Sequence, residues 1–275
     1  MPVHQRPLSP VPLGDLRPFV PTSTHPVRVR ARAVPANTHF ESHRHAWGQL
    51  VYCRAGLLRA NVAARAREAA TSCIVPPSRA LWIAPSVTHS VTALEATQLQ
   101  TLYITADALS IEAGNSRVIT VSALLREIVP ALHQAAQHPD DGQRLGWLMR
   151  LALDEIARAP TLALGVPLPA PEGGDKRLRA LCEAIIDAPA ERVTLAEWSR
   201  RVGTSERTTA RLFRDELGTS YQQWRQQVVL AHALPLLARR MPVGQVAAAC
   251  GYASESAFTA MFRAALGQTP SEFRG

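Results

Sequence analysis

The sequence predicts a two-domain α+β protein, with a small β-barrel or sandwich followed by an all-α domain. Short runs of alternating apolar and polar residues, interrupted by Gly and Pro, extend from residue 27 to about residue 110. After Ser122 the apolar residues recur at helical spacing, and after Lys176 the chain has the pattern of helices joined by turns. Its 275 residues suffice for two domains, each with its own core.

Composition narrows the classes of function. Apolar residues make up 47% of the chain, which is typical of a globular protein. The sequence has no apolar run of membrane-spanning length, and its Pro-rich start has no apolar signal region, so we expect a cytoplasmic protein without membrane contact. The four cysteines have no paired spacing and are expected to be reduced. The net charge of +8 favours an anionic partner, above all nucleic acid.

The β part begins after a Pro-rich arm at residues 1–26. The stretch VRVRARAV (27–34) alternates apolar and polar side chains, and further short strand-like runs follow to about residue 110. Gly56, Pro76, Pro77 and Pro85 separate these runs. Strands at such spacing fit a barrel or a sandwich.

Residues 111–158 are predicted to form a helical connector. One helix face carries Leu145, Leu148, Ala152 and Ile156. This stripe fits a helix packed on the β domain, and it equally fits a helix that dimerises with a second chain. Residues 159–175 lack periodicity and are rich in Pro and Gly, so they are predicted to form a linker.

The last hundred residues, 176–275, contain one pattern twice. The copies span about 195–217 and about 243–266. Each copy has a small residue four positions before a glycine, then a Ser-Glu pair, a Phe-Arg pair and a final glycine. The small residue allows two helices to approach closely, and the glycine permits the sharp turn between them. Ser205 and Ser254 are placed to cap the second helix of each copy. Each copy is therefore predicted to be a helix-turn-helix unit.

The chain here resembles the AraC/XylS family of bacterial transcription regulators. The resemblance rests on ACGYASESAFTAMFRAALGQTPSEFR (249–274) and RLFRDELGTSYQQW (211–224), and it covers about the C-terminal third. It implies two helix-turn-helix units held apart by a linker helix, with both recognition helices in successive major grooves of promoter DNA. It further implies a role with RNA polymerase, more often in activation than in repression.

The second helix of each unit supplies the candidate DNA contacts. In the first unit the family pattern places Arg207, Ala210 and Arg211 against DNA, although Ala210 offers only a methyl group. The alternative for the arginines is a solvated face with incidental ion pairs, such as Arg211 with Asp215. Pro235 lies inside the linker helix, where it is expected to kink or interrupt it. Short polar side chains suit base edges, and arginines suit guanine or phosphate. The candidates are Arg207, Thr208, Arg211, Arg214, Glu255, Ser256, Thr259 and Arg263.

The stretch HFESHRHAWGQLVYCRAG (39–56) suggests a second site. Residues i and i+2 of a strand share a face, so His43 and His45 can point the same way. With Gln49 and Gly56 they resemble the first signature of the cupin barrels, and Pro85 with His89 resembles the second, one residue tighter than usual. The resemblance implies a cupin-like sensor barrel at residues 27–110.

The three histidines suit a divalent Zn, Fe, Ni or Cu ion, with Gln49 as a fourth ligand that binds hard cations less well than the usual Glu. The alternative is that His43, His45, Gln49 and His89 line an effector pocket with Trp47 and Trp82 as apolar walls. A cupin-type dioxygenase fused to a DNA-binding domain is a further alternative, but a neutral Gln49 supplies no general base. We expect a homodimeric, effector-responsive DNA-binding regulator, sensing a small molecule or a metal, and no enzyme.

Overall fold

The computed structural model describes residues 10–63, 70–77, 79–109, 116–138, 142–162, 165–170 and 173–274. The chain divides into two compact units, residues 1–62 with 74–163 and residues 63–73 with 164–275. Within these described ranges, no helix combines the length and apolar character that a membrane crossing requires. Cys53, Cys73, Cys182 and Cys250 are free and buried, and burial raises the pKa of each thiol.

The first unit is built mainly from strands. The strands are short because turns at Gly and Pro interrupt them, and β4, β7 and β8, whose bounds follow, are buried along their whole length. In chain order they are β1 (Pro10–Val11), β2 (Val27–Val34), β3 (Thr38–Phe40), β4 (Gly48–Cys53), β5 (Leu58–Val62), β6 (Ala70–Val75), β7 (Arg79–Ile83), β8 (His89–Ala93), β9 (Thr97–Ile104), β10 (Arg117–Thr120) and β11 (Thr161–Leu162). The first residues of β6, up to Cys73, belong to the second unit. A 3-10 helix lies at Arg17–Phe19.

These strands form two sheets. One has the order β1, β3, β8, β5, with β1 parallel to β3 and the other pairs antiparallel. The other has the order β11, β10, β7, β4, β9, β2 and is antiparallel throughout. Among the described residues the strands form two separate sheets rather than one closed barrel. The predicted α+β fold class is confirmed, with the β part taking the sandwich form.

The second sheet is covered on its outer face by two helices. They are α1 (Ala123–Ala135), capped by the Ser122 side chain, and α2 (Gly142–Arg158). Leu145, Ala152 and Ile156 of the predicted stripe are buried in the core that this face shares with α1 and α2, and Leu148 packs against it. The stripe therefore packs α2 on the β domain, as one of the two alternatives predicted.

The inner faces of the two sheets meet across the sandwich. His89 of the first sheet lies 3.1 Å from the side-chain oxygen of Gln49 on the second. The Cys53 thiol of the second sheet donates to the Val75 carbonyl at 3.7 Å. This inner space is where the candidate ligand site lies.

The second unit is mainly helical. Its helices are α3 (Lys176–Asp187), α4 (Leu195–Arg201), α5 (Glu206–Leu217), α6 (Tyr221–Ala238), α7 (Val243–Ala249), α8 (Glu255–Leu266) and α9 (Pro270–Arg274). A twelfth strand, β12 (Gly165–Leu168), pairs antiparallel with β6 over Ala70–Cys73. The predicted helix-turn-helix units coincide with α4–α5 and α7–α8.

Two predicted segments differ from the structure. The region 111–158 was expected to be a helical connector, yet its described residues include β10, which extends the sheet beside β7 because RVIT is rich in β-branched residues. The linker predicted at 159–175 contains β11 and β12. The strand β12 contains Pro167, but it lies at a sheet edge, where a missing N–H is tolerated. The indole of Trp224 donates to the Pro167 carbonyl at 2.7 Å, which ties this stretch to α6.

Candidate functional site

The two helix-turn-helix units share one turn geometry. Gly203 and Gly251 both have positive φ, at 72° and 78°. In the first unit the Thr204 amide donates to the Ser199 carbonyl at 2.9 Å, and in the second the Tyr252 amide donates to the Ala247 carbonyl at 2.8 Å. The small residues predicted at the crossing, Ser199 and Ala247, are fully buried. The repeat in the sequence therefore corresponds to a repeat in backbone structure.

Different contacts hold the helices of each unit together. In the first unit the hydroxyls of Ser199 and Thr209 are hydrogen bonded at 2.8 Å in the buried crossing. In the second, Ala247 and Phe258 occupy the corresponding places, and Phe258 is fully buried. The first crossing thus relies on a polar pair and the second on apolar packing.

Both recognition helices begin at the predicted caps. The Ser205 hydroxyl accepts from the Thr208 amide at 3.2 Å, and the Ser254 hydroxyl accepts from the Ala257 amide at 3.2 Å. On α5, Phe213 and Leu217 are buried and Leu212 is half-buried, while on α8 the predicted apolar face is buried apart from half-buried Met261. This burial leaves the opposite face of each helix in solvent.

The candidate DNA contacts on α5 lie on that outer face. Arg207, Arg211 and Arg214 are exposed, whereas Thr208 is half-buried and its hydroxyl lies 2.9 Å from the Ser205 hydroxyl. Arg211 forms the ion pair with Asp215 that the sequence suggested, at 3.9 Å and with both side chains mostly exposed. Such a pair stabilises little and can exchange for a DNA contact.

The candidates on α8 are exposed except for half-buried Thr259. Glu255 extends towards the first turn of α7, where its carboxylate lies 3.0 Å from the position a Cβ would take on Gly244. A carboxylate near the start of a helix is favourable for the helix dipole. The structure thus gives Glu255 a contact within its own unit in addition to its exposed position.

The loop between α3 and α4 contacts both helix-turn-helix units and the linker helix. The Ala190 carbonyl touches the Gly251 turn of the second unit, and the Arg192 guanidinium lies 4.8 Å from the Tyr252 ring centre. Arg225 of α6 donates to the Glu191 carbonyl at 3.2 Å. The Glu191 carboxylate in turn pairs with Arg201 of the first unit at 2.8 Å. This loop was not identified from the sequence, since its residues carry no motif.

The linker helix α6 runs without interruption through Pro235. The Arg239 amide donates to the Pro235 carbonyl at 3.2 Å, so the helical hydrogen bonding continues past Pro235. The alternative that the helix breaks at Pro235 is therefore wrong.

The histidine cluster lies in the first unit, between the sheets. His43 and His89 exchange backbone hydrogen bonds of 3.0 and 2.9 Å, which brings their rings within 4.2 Å. His45 lies before β4, and Gln49 is on β4. One ligand atom from each histidine lies within 4.8 Å of the others, so the structure brings the predicted three-histidine set together.

Each histidine ring is oriented by its own neighbourhood in the backbone. The Nδ1 atoms of His43, His45 and His89 lie 3.0, 2.7 and 2.8 Å from the carbonyls of Glu41, Trp47 and Val87. A carbonyl can only accept, so each Nδ1 carries the proton and each Nε2 presents a lone pair. Backbone acceptors that fix the tautomer in this way are typical of histidines that bind a metal through the other nitrogen.

Two of the three Nε2 atoms meet at the side chain of Gln49. The Gln49 side-chain oxygen lies 2.7 Å from Nε2 of His45 and 3.1 Å from that of His89. Facing lone pairs repel unless a proton or a cation lies between them, or the amide turns its NH₂ group to the rings. Within the described residues, the buried Nε2 of His43 has no hydrogen-bond partner. The donor set therefore fits a cation.

Burial keeps two of these rings neutral. It lowers the pKa of His43 and lowers that of His89 to about 3. Neutral imidazole is the form that binds a metal. His43 and His89 are therefore in their ligating form at neutral pH.

The two predicted tryptophan walls have different places. Trp47 stacks on His45, with ring centres 4.9 Å apart and planes 4° apart. The prediction for Trp82 is wrong. Trp82 pairs with Leu50, and both lie in the core that faces α1 and α2, whereas Gln49 points to the opposite side of the sheet. Successive side chains of a strand alternate between faces, and this parity places Trp82 outside the histidine cavity.

Tyr103 and the arginines of β2 are neighbours of the cluster that sequence reasoning missed. The Tyr103 ring centre lies 5.8 Å from that of His45 and 6.3 Å from that of Trp47. Arg28 is directly opposite Tyr103 in the β2–β9 register. The signal was present in VRVRARAV, whose arginines at every second position must share one face of the strand.

Comparisons with known proteins find relatives among transcription regulators. A family model described as a helix-turn-helix domain matches residues 198–275. The HTH-type transcriptional regulator NimR of Escherichia coli K12 is 31% identical over 231 residues, which cover 84% of this chain and 81% of NimR. The arabinose operon regulatory protein of the same organism is 33% identical over 102 residues, 36% of this chain and 35% of that protein. A crystal structure of a DNA-binding transcriptional dual regulator from Escherichia coli K-12 has 28% identity, covers 38% of this chain and 95% of its own, and gives a TM-score of 0.34.

Proposed function

Since the chain belongs to the AraC/XylS family of transcription regulators, we propose that it binds promoter DNA through α5 and α8 and changes its DNA affinity when a ligand occupies the sandwich. The observation that carries the DNA-binding part is the pair of helix-turn-helix units with one turn geometry and a solvent-facing recognition helix each. Its place of action is the cytoplasm, where bacterial promoters lie.

Arg207 and Arg211 are assigned to base edges or phosphates of one major groove. Both are exposed, and the single ion pair of Arg211 is weak enough to exchange. Ser256 and Thr259 supply short polar side chains at the start of α8, as in a helix that approaches base edges closely. Thr208, Arg214, Glu255 and Arg263 complete the proposed contact surface, with the two arginines on phosphates.

The DNA contacts are tested by selecting duplexes from a random pool with the full-length protein and measuring the Kd of the selected site. Arg211→Ala is expected to weaken binding by about 5- to 150-fold, equivalent to roughly 1–3 kcal/mol. Arg158→Ala, at an exposed arginine of α2, is the matched control and should leave the Kd unchanged. Equal binding by Arg211→Ala and the parent protein would refute the assignment, and an equal loss on every duplex would move Arg211 from a base to a phosphate.

His43, His45, His89 and Gln49 are proposed to hold a divalent ion. The support is the convergence of three oriented Nε2 atoms and one amide oxygen, with one of those nitrogens buried and unpartnered among the described residues. Such an ion would supply positive charge and an open position for an effector. A neutral fourth ligand makes this a weaker hard-cation site than one with a carboxylate.

The metal proposal is tested on untagged protein purified without chelator. Near-stoichiometric metal is expected, with loss of that metal in a His43→Ala/His45→Ala/His89→Ala variant. Gln49→Glu should bind the same ion more tightly, and His138→Ala, at an exposed histidine of the same unit, should bind it unchanged. Metal-free parent protein that takes up no Zn, Fe, Ni or Cu in dialysis would leave the histidines as pocket lining.

The proposal includes a homodimer and a contact with RNA polymerase. Among the described residues, large exposed apolar side chains concentrate on α1 and α2 as Leu124, Trp147 and Leu151, with Trp147 57% exposed. A second copy would cover this face. The relatives found are named as transcription regulators, which gives no support to the dioxygenase alternative.

A further inference from the structure

The arginines of β2 face the inside of the sandwich. In the β2–β9 register Arg28, Arg30 and Arg32 lie opposite Tyr103, Thr101 and Leu99. Val27 and Val29, which alternate with them, are buried in the core shared with α1 and α2. Because neighbouring side chains of a strand point to opposite faces, the three arginines share the face that carries Gln49.

One cross-strand row connects these arginines with the histidine cluster. Tyr103 is opposite Arg28 on one side and opposite Gln49 on the other. The Tyr103 ring is also within 5.8 Å of His45. The cationic face and the candidate metal ligands therefore border the same space, separated by the width of one strand.

No acidic side chain forms an ion pair with these arginines in the described part of the chain. Arg30 and Arg32 both donate to the Leu13 carbonyl, at 2.9 and 3.3 Å. Burial, and then the charge of Arg30, lower the pKa of Arg32. The Arg30 and Arg32 guanidiniums lie 5.1 and 4.2 Å from the Phe19 and Phe40 ring centres, and the Arg30 charge contributes to a lowered pKa of Asp15. These contacts offset only part of the cost of holding two like charges half-buried on one acceptor.

Unpartnered polar atoms gather at the same place. Nε of Arg28, Nε1 of Trp47 and Nε2 of His43 are buried, and none has a hydrogen-bond partner within the described residues. Native structures leave few such atoms without a partner, and a bound ligand can satisfy them. Phe19, whose ring centre is 6.5 Å from that of Tyr103, adds an aromatic surface.

We propose that this face binds a small organic anion, with its carboxylate or phosphate on Arg28 and Arg30 and its apolar body against Trp47 and Tyr103. A guanidinium offers two parallel donors that match either anionic group. The identification names the effector class and thus rests on the proposed effector response.

The test uses full-length protein and anion–neutral pairs: 4-phenylbutyrate with 4-phenylbutyramide, and phenyl phosphate with phenol, beside inorganic phosphate alone. At least one organic anion should raise the Tm in a saturable manner, while its neutral partner should not. The pair that responds identifies the anionic group. In Arg28→Gln/Arg30→Gln the apparent Kd should rise at least tenfold, whereas Arg54→Gln, at an arginine paired with Glu127 outside this face, should keep it.

A second measurement separates a binding role from a structural one. Without ligand, Arg28→Gln/Arg30→Gln should keep or raise the Tm, because it removes the repulsion between Arg30 and Arg32 and breaks no ion pair of the described residues. A lower Tm, an equal response to anion and amide, or no response to any anion would overturn the proposal. An anion that raises the Tm in a saturable manner but leaves the Kd for the selected DNA unchanged would keep the anion site and refute the effector response.

Discussion

The two turn glycines provide a matched pair for testing how the helix-turn-helix units are built. Gly203 and Gly251 have the same role and similar positive φ. A Cβ on Gly203 would meet nothing within 4 Å, whereas a Cβ on Gly251 would lie 2.3 Å from the Ala190 carbonyl oxygen. Gly203→Ala therefore measures the free-energy cost of the left-handed backbone conformation alone. Gly251→Ala measures that cost together with the cost of the steric conflict.

The magnitudes follow from these two terms. A left-handed conformation costs an alanine about 1–2 kcal/mol, which we expect for Gly203→Ala. In Gly251→Ala the Ala190 carbonyl must also move by about 1 Å to reach ordinary contact, and overpacking of this kind adds about 1–3 kcal/mol. The expected loss at Gly251 is therefore roughly 2–5 kcal/mol.

Thermal unfolding of both full-length variants, followed by the far-ultraviolet dichroism of the helices, measures the difference. In a domain of about 100 residues each kcal/mol lowers Tm by roughly 4–8 °C, so Gly251→Ala should unfold several degrees below Gly203→Ala. Equal Tm values, or a lower Tm for Gly203→Ala, would refute the contact between the second turn and the α3–α4 loop.

Three further changes test other parts of the structure. Trp82→Leu should lower Tm, by less than the roughly 3–5 kcal/mol of a full truncation, yet leave metal content unchanged; metal loss would return Trp82 to the ligand cavity. Ser254→Ala should cost about 1 kcal/mol in thermal unfolding through the lost cap of α8, and an unchanged Tm would contradict the capping contact. Trp147→Glu should convert a dimer to a monomer in light scattering after size exclusion, while Ile186→Glu, at an exposed apolar residue of α3, should not; a dimer in both would place the interface elsewhere.

The C-terminal half was predictable because its determinants are local. Gly203 and Gly251 specify turns, Ser205 and Ser254 specify caps, and the apolar periodicity specifies the buried faces. All of these depend on residues within one helical turn or one sharp bend. The α3–α4 loop was not predictable, since Ala190 and Glu191 matter only through what packs against them from far along the chain.

The N-terminal half shows the opposite case. The histidine spacing predicted which rings meet, but the assignment of Trp82 was wrong. It depends on which of the two alternating faces of the strand, the inner one or the one that α1 and α2 cover, the Trp82 side chain occupies. The sequence shows which residues of a strand face inward only when one face of the strand is polar. The strand β7 is buried on both faces, so RALWI gave no such signal. In β2 the parity was visible, and the arginines of VRVRARAV mark the inner face.

The α3–α4 loop explains how two helix-turn-helix units can act as one reader of DNA. Binding successive grooves requires the two recognition helices to keep one spacing, because half-sites on one DNA face are a helical turn apart. The linker helix α6 alone fixes a distance but not a rotation about its axis.

The loop supplies the second constraint, since it touches the second helix-turn-helix unit through Ala190 and Arg192 and the first through Glu191. Because the linker helix and the loop both hold the second helix-turn-helix unit, that unit cannot rotate about either one alone. Gly251→Ala, which displaces one attachment without altering any proposed DNA contact, is thus expected to weaken binding to a two-groove site more than binding to an isolated half-site.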